Sequence, residues 1–294
     1  MAASPPRNRA SSCPDGTRAD RIRTVFSTVS SPVDVTFLGT GTSMGVPMIG
    51  CACAVCQSTD PRDNRSRPSI LVRLAGGATI LVDTSSDLRA QALRFKLTRI
   101  DAVLYTHSHA DHILGLDELR RFNTLQKGPI PLYGDDRTLT DLRRIFSYAF
   151  HSVREAGHEY VPQLVPFVLD GPLCVAGAEV LPVPVTHGAR TILGYRFGRF
   201  AYLTDCCAIP DTSWPLLEGL DVVVVDALRE RPHTSHFSLD QAVAAATRIG
   251  AGRTFFTHMA HDLGHAATCA RLPAGMALAY DGLTVAIAEG GGRG

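Results

Sequence analysis

Residues Thr106–His112 read THSHADH, which puts His107, His109, Asp111 and His112 within six positions, directly after the apolar run Ala102–Tyr105. Neutral imidazoles and carboxylates are the ligands of borderline divalent cations. A single ion is served by three or four such groups, so four in one short loop suggest two ions side by side. A polar helix cap would not need this composition. Further donors follow at the ends of later β-rich stretches: Val183–Val185 runs through Thr186 into His187, Ala201–Thr204 into Asp205, and Thr254–Thr257 into His258. Strand ends are where a rigid scaffold delivers catalytic groups. Any one of the three could be a satisfied structural residue, but in series behind an HxHxDH loop they point to a shared centre.

A second cluster is richer in sulfur. Gly50–Cys56 reads GCACAVC, so Cys51, Cys53 and Cys56 form CxCxxC, a spacing that lets three thiolates converge on one tetrahedral ion. Clustered cysteines in a reducing compartment favour metal over a disulfide. His261, three residues beyond His258, is the candidate fourth ligand, because a short turn can send the two imidazoles to opposite sides of that segment. Three soft thiolates favour zinc in this site.

The order HxHxDH, then single His, Asp and His at strand ends, resembles the metallo-β-lactamase superfamily of metallohydrolases, over about residues 33 to 289. The Cys3His cluster and the opening run Val35–Pro47, VTFLGTGTSMGVP, are similar to the branch containing the phosphodiesterase of bacterial carbon-phosphorus lyase operons. The resemblance implies an αββα sandwich, two mixed sheets flanked by helices, with two similar halves that are not visible as sequence repetition. It implies His107, His109 and His187 on a first metal, Asp111, His112 and His258 on a second, and Asp205 bridging them. Asp83, closing the run Thr79–Val82, matches an aspartate that orients the site from outside the ligand set. Water activated between two cations is then the nucleophile. The hard oxygen ligand leaves the active-site metals open among Zn, Mn and Fe.

Related phosphodiesterases have a histidine about where His236 stands, 22 residues before His258. An alkoxide leaving group needs a proton, which imidazole can deliver near neutral pH. His236 is therefore expected as general acid or phosphate contact, with His233 as its neighbour, and Asp111 is counted with the catalytic groups as well as the ligands. Other tempting residues carry less. Gly39, Gly41 and Gly45 lack both Rossmann spacing and a following GK[ST], and more plausibly let the backbone pass close to the site. Cys206 and Cys207 read as buried thiols, and Asp117 with Arg120 as an i, i+3 ion pair.

The chain has 294 residues, 45% of them apolar, enough for one large α/β core. Twenty-nine Lys and Arg against 28 Asp and Glu give a net charge of +1, too balanced for a protein that grips long nucleic acid. A small anionic substrate is favoured, with no membrane partner. The eight cysteines and the absence of an apolar h-region suit a cytoplasmic location. Residues 1–32, rich in Ser, Pro and Arg, read as a disordered leader, residues 33–289 as the hydrolase domain, and 290–294 as a flexible tail. The oligomeric state is open, a homodimer among the options.

Between the ends, strands are expected at Val33–Leu38, Ser69–Leu74, Thr79–Val82, Ala102–Tyr105 and Val222–Val225, the last buried on both faces. Helices are expected at Leu88–Phe95, from His112 to Leu125, over Leu139–His151, and at Asp240–Ile249 with Ser238 as N-cap and Gln241 completing a capping box. Leu139–His151 reads equally as a cap over the site or as a packed surface helix. The leading function is hydrolysis of a small phosphodiester, cyclic esters included. Thioester or lactone hydrolysis by the same centre is the alternative enzyme, and a metal-holding scaffold would leave the seven-ligand set without a use.

Overall fold

A computed structural model of the protein describes residues 33–150 and 160–287. The expected leader, the expected tail and His151 lie outside the described residues. Among the described residues fourteen strands form two seven-stranded sheets. The first holds β1 (Val33–Gly39), β2 (Ser69–Leu74), β3 (Thr79–Val82), β4 (Ala102–Leu104), β5 (Ile130–Gly134) and β6 (Leu164–Val168). The second holds β7 (Leu173–Val175), β8 (Ala178–His187), β9 (Arg190–Phe197), β10 (Phe200–Leu203), β11 (Val222–Asp226), β12 (Arg253–Thr257) and β13 (Met276–Leu278). The last strand, β14 (Thr284–Ile287), crosses back to pair with β1.

The spatial orders are β14-β1-β2-β3-β4-β5-β6 and β7-β8-β9-β10-β11-β12-β13. In each sheet antiparallel pairing gives way to parallel pairing at the fourth strand, at β3/β4 and at β10/β11. The two halves are thus repeated in topology, although their residues share no visible period. Alternation along the strands assigns the faces. Val35, Phe37, Ile80, Val82, Tyr202, Val222 and Val224 point into the space between the sheets. Leu38, Leu81, Val103 and Tyr105 pack outward under helices on one side, and Val223, Val225 and Phe256 do so on the other. The result is the four-layer αββα sandwich that the resemblance implies.

Two helices depart from expectation. The segment from His112 to Leu125 is broken into α2 (Ala110–Ile113), a 3-10 turn at Leu116–Glu118 and α3 (Leu119–Gln126), following α1 (Leu88–Arg94) in the chain. The cause is Gly115, whose backbone is pressed on the loop after β3. Its amide donates to Thr84 O at 3.0 Å, and a Cβ there would lie 2.1 Å from Ser85 O. The expected helix from Leu139 starts earlier, as α4 (Asp136–Ile145), because the Asp135 carboxylate caps Thr138 N at 2.7 Å. It pauses at Phe146 before α5 (Ser147–Phe150). Leu139 and Leu142 are packed in the core, while Asp141 accepts a 2.6 Å hydrogen bond from Ser108, inside the HxHxDH loop. Helix α6 (Leu239–Ile249) has the capping box read from Ser238 and Gln241. The remaining helix, α7 (His265–Cys269), follows the second candidate site.

Candidate metal centre

Strand ends converge as the spacing implies. His107, His109, Asp111 and His112 follow β4, His187 is the last residue of β8, Asp205 stands two residues past β10, and His258 directly follows β12. Their donor atoms form two groups joined at Asp205: His107, His109, His187 and Asp205, and Asp111, His112, Asp205 and His258. In the second group His112 Nε2 lies 3.4 Å from Asp111 Oδ2 and 3.3 Å from Asp205 Oδ2, and His258 Nε2 lies 3.3 Å from Asp205 Oδ1. In the first, His187 Nε2 and His109 Nδ1 are 3.3 Å apart. Four ligands with bonds of about 2.0–2.2 Å around one ion are spaced by roughly 3.3–3.6 Å, so these separations match the edges of a coordination polyhedron.

Buried polar atoms without partners support the same reading. His107 Nε2 and His112 Nε2 are buried and make no hydrogen bond, a costly state unless a cation takes the lone pairs. Surrounding groups select those lone pairs. Asp83 Oδ2 accepts from His112 Nδ1–H at 2.7 Å, and Ser235 O from His187 Nδ1–H at 2.8 Å, which leaves Nε2 of each as a ligand atom. Asp83 is itself held by Thr106, whose amide and hydroxyl each donate at 2.8 Å. Asp83, Asp205 and His258 all adopt left-handed backbone, with φ of 65°, 54° and 61°. Such conformations cost about 1–3 kcal/mol each and persist where the surroundings enforce them, commonly at functional sites.

The two groups differ electrostatically. Burial lowers His107, with the neighbouring His112 charge adding to it, and burial also lowers His109 and His187, which disfavours a proton on all three. His112 and His258 are pulled the other way: burial opposes the proton, but Asp205 and the other carboxylates raise His112 strongly and His258 to about 9. Asp205 is driven well below the carboxylate range by His258 and His112, against the effect of burial. A cation entering the second group has to displace protons from His112 and His258, so its affinity there rises with pH.

His236 is buried beside this centre. Its ring stacks on His258 at 4.7 Å and meets His187 edge-on at 4.8 Å, with His233 at 5.2 Å. Its Nδ1–H donates to Asp226 Oδ2 at 3.0 Å. Asp226, fully buried at the end of β11, escaped the sequence reading, although it closes VVVVD just as other acids and histidines close their strands. Its second oxygen faces His258 Nδ1 at 3.7 Å. Asp226, His236 and His258 are near enough to hold an ion of their own. The Nδ1–H of His236 is already given to Asp226, however, and His258 Nε2 is aimed at Asp205.

The sulfur cluster also assembles. His261 Nδ1 lies 3.1, 3.4 and 3.5 Å from the sulfurs of Cys51, Cys53 and Cys56. The Cys56 amide draws the Cys53 thiol down to about 6, whereas burial pushes Cys56 up to about 11. A cation would relieve the crowding of the remaining thiols as they ionise. Arg65, buried and unmarked in the sequence, straps the His261 segment by donating to Ala260 O at 3.1 Å and Leu263 O at 2.5 Å while pairing with Asp63 at 3.1 Å. Cys53→Ser should therefore remove about one zinc per chain and lower the thermal midpoint while the two-group centre keeps its metal, since structural zinc contributes folding free energy. Elemental analysis beside a melting curve checks this, and full zinc retention would count against the cluster.

Asp117 and Arg120 pair at 3.1 Å and Cys206 is buried, as expected, whereas Cys207 is only half-buried and donates to Thr186 O at 3.4 Å. Gly41 does lie in a close approach, a Cβ there meeting Arg65 O at 2.7 Å, and the following amide, Thr42 N, donates to Met259 O beside His258. Among the described residues no helix is long and apolar enough to cross a membrane.

Comparison with known proteins places these features in context. The profile of the β-lactamase superfamily domain matches residues 78–259. A crystal structure described as a new diphosphatase from the PhnP family is 46% identical, with a TM-score of 0.81 over 87% of this chain and 97% of that one. An octanoyltransferase of Porphyromonas gingivalis is 36% identical over 258 residues; the match takes in 87% of this chain and spans only about half (52%) of that protein. A ribonuclease Z of Mycolicibacterium gilvum is 27% identical over 261 residues, covering 77% of this chain and 84% of its own.

Proposed function

This chain belongs to the β-lactamase superfamily, in its PhnP-like branch, and from the two donor groups joined at Asp205 we propose that it is a two-metal hydrolase of small phosphodiesters. His107, His109, His187 and Asp205 would hold one divalent ion, and Asp111, His112, His258 and Asp205 the other, with Zn, Mn and Fe all compatible with this donor set. Two ions so held would supply an activated water nucleophile at neutral pH and Lewis-acid charge against the phosphoryl oxygens. Cys51, Cys53, Cys56 and His261 would hold a separate structural zinc.

The chain's own groups do the rest. Asp83 and Ser235 fix the tautomers of His112 and His187, so their Nε2 atoms need no reorientation. His236 gives a proton from Nε2 to the departing alkoxide, and Asp226, holding Nδ1–H, orients the imidazole. The observation that carries the reading is this Asp226–His236 pair stacked on the ligand His258, because a leaving-group acid is what ester cleavage at phosphorus needs beyond the metals. The relative described as a diphosphatase supports chemistry at phosphorus, and the balanced charge of this chain supports a small substrate. Metal-loaded protein should turn over bis(p-nitrophenyl) phosphate and leave an acyl thioester nearly untouched. The reverse preference would make it an acyl hydrolase of the same fold.

A further inference from the structure

The histidines of the centre are not held alike. Thr106 Oγ1 takes His107 Nδ1–H at 3.1 Å, and Asp83 Oδ2 and Ser235 O take the Nδ1–H groups of His112 and His187 at 2.7 and 2.8 Å. Each of these rings is thus fixed on the side away from its ligand nitrogen. His109 differs. It faces the first group with Nδ1, 3.3 Å from His187 Nε2, and among the described residues its Nε2 has no hydrogen-bond partner. It is half-buried, whereas the other ligand histidines are buried. Nδ1 is the ring nitrogen nearer the main chain, so an ion bound there follows the position of the loop backbone closely.

That backbone has an anchor outside the loop. Ser108 stands between His107 and His109, and its hydroxyl donates to Asp141 Oδ2 at 2.6 Å, a short bond to a carboxylate of the stronger kind. Asp141 is carried by α4, whose Leu139 and Leu142 are buried and whose start is capped by Asp135, so the acceptor is held by a rigid element. Its other oxygen accepts from Arg144 at the longer distance of 3.4 Å. On the far side of the loop His109 is the N-cap residue of α2 and makes no side-chain capping bond. The Ser108–Asp141 bond is therefore the restraint nearest to His109.

We propose that Asp141 is a positioning residue of the metal centre: by gripping Ser108 it fixes the main chain that carries His109, and supplies from α4 the restraint that the other first-group histidines receive on their own rings. The proposal rests on the two-metal reading and deepens it. The hold on the first-group ion is assigned to a helix outside the ligand set.

The test measures metal affinity by competition with a chelator followed by elemental analysis, in wild type, Ser108→Ala, Asp141→Ala, Asp141→Asn and the Ser108→Ala/Asp141→Ala double variant. Loss of a group that orients a ligand costs about 10- to 100-fold in metal affinity. Asp141→Ala should weaken one ion of the Asp205 centre by that factor, and change the other ion and the zinc of the sulfur cluster by less than about threefold. Ser108→Ala should match it. The double variant should be no weaker than either single one, because both remove the same hydrogen bond. Asp141→Asn, whose amide oxygen still accepts from Ser108, should stay near wild type. In a His187→Ala background, which already lacks a first-group ligand, Asp141→Ala should leave the remaining ion unchanged, and this identifies the ion affected. Turnover of bis(p-nitrophenyl) phosphate by Asp141→Ala should fall with the lost ion and return when excess metal refills the centre. Wild-type affinity in Asp141→Ala, equal weakening of both ions, or additive losses in the double variant would overturn the positioning role while leaving the two-metal reading intact. A wild-type protein that takes up no ion outside the sulfur cluster would overturn both.

Discussion

Replacing Asp205 with alanine should empty the metal centre and reduce phosphodiester kcat/KM by at least about 10³-fold. The carboxylate is the one group common to both donor sets, at 3.7 Å from His107 Nε2, 3.3 Å from His112 Nε2 and 3.3 Å from His258 Nε2. Without it each set keeps three donors, and the buried histidines lose the charge that holds them around a cation. Metal-derived stabilisation of the transition state amounts to several kcal/mol, and each 1.36 kcal/mol is a factor of ten, which sets the expected size. The same variant should keep the zinc of the sulfur cluster, because none of the three cysteines touches Asp205. Asp205→Ala is thus the converse of Cys53→Ser, and elemental analysis of the two variants side by side separates the centres. Retention of wild-type metal and activity in Asp205→Ala would remove the shared-ligand assignment.

The second large effect concerns the proton. His236→Ala should lose about 10²- to 10⁴-fold on an ester with an alkoxide leaving group, the range expected for general acid catalysis, and much less on a nitrophenyl ester, whose leaving group departs unaided. Its metal content should stay at the wild-type level. Asp226→Asn should move in the same direction by a smaller factor, since it weakens the hydrogen bond that orients Nδ1 without removing the acid. Equal losses on both esters would make His236 a phosphate contact or a structural residue. Loss of metal would instead make it a ligand, with Asp226 and His258 as its companions.

Much of this site was legible in the chain because metal ligands obey spacing and strand-end rules that leave marks in sequence. The HxHxDH loop, the single donors His187, Asp205 and His258, and the pairing of CxCxxC with His261 all converge in the fold. Strands were legible where alternation was clean, as in Val222–Val225. The breaks in the helices after the metal loop were not. Gly115 reads locally as a tolerated residue inside a helix, and only the close approach of Ser85 O, 30 residues earlier in the chain, makes it a break. The supporting groups were the hardest to find. Arg65 and Asp281 act through contacts with distant segments: Arg65 straps Ala260 and Leu263, and Asp281 accepts from the amides of Thr40 and Ser66 at 2.9 and 2.8 Å. No local pattern announces such partners. Asp226 lies between these cases, since its strand-end position was a signal that only its pairing with His236 makes functional.

The central claim is that two ions sharing Asp205 hydrolyse a phosphodiester. The most direct measurement is stepwise reloading of metal-stripped protein with zinc or manganese, following metal per chain by elemental analysis and bis(p-nitrophenyl) phosphate turnover in the same samples. The account predicts one ion at the sulfur cluster and two at the Asp205 centre at saturation, with turnover rising only as that centre acquires its second ion. Full turnover with at most one ion outside the sulfur cluster, or turnover indifferent to stripping, would contradict it.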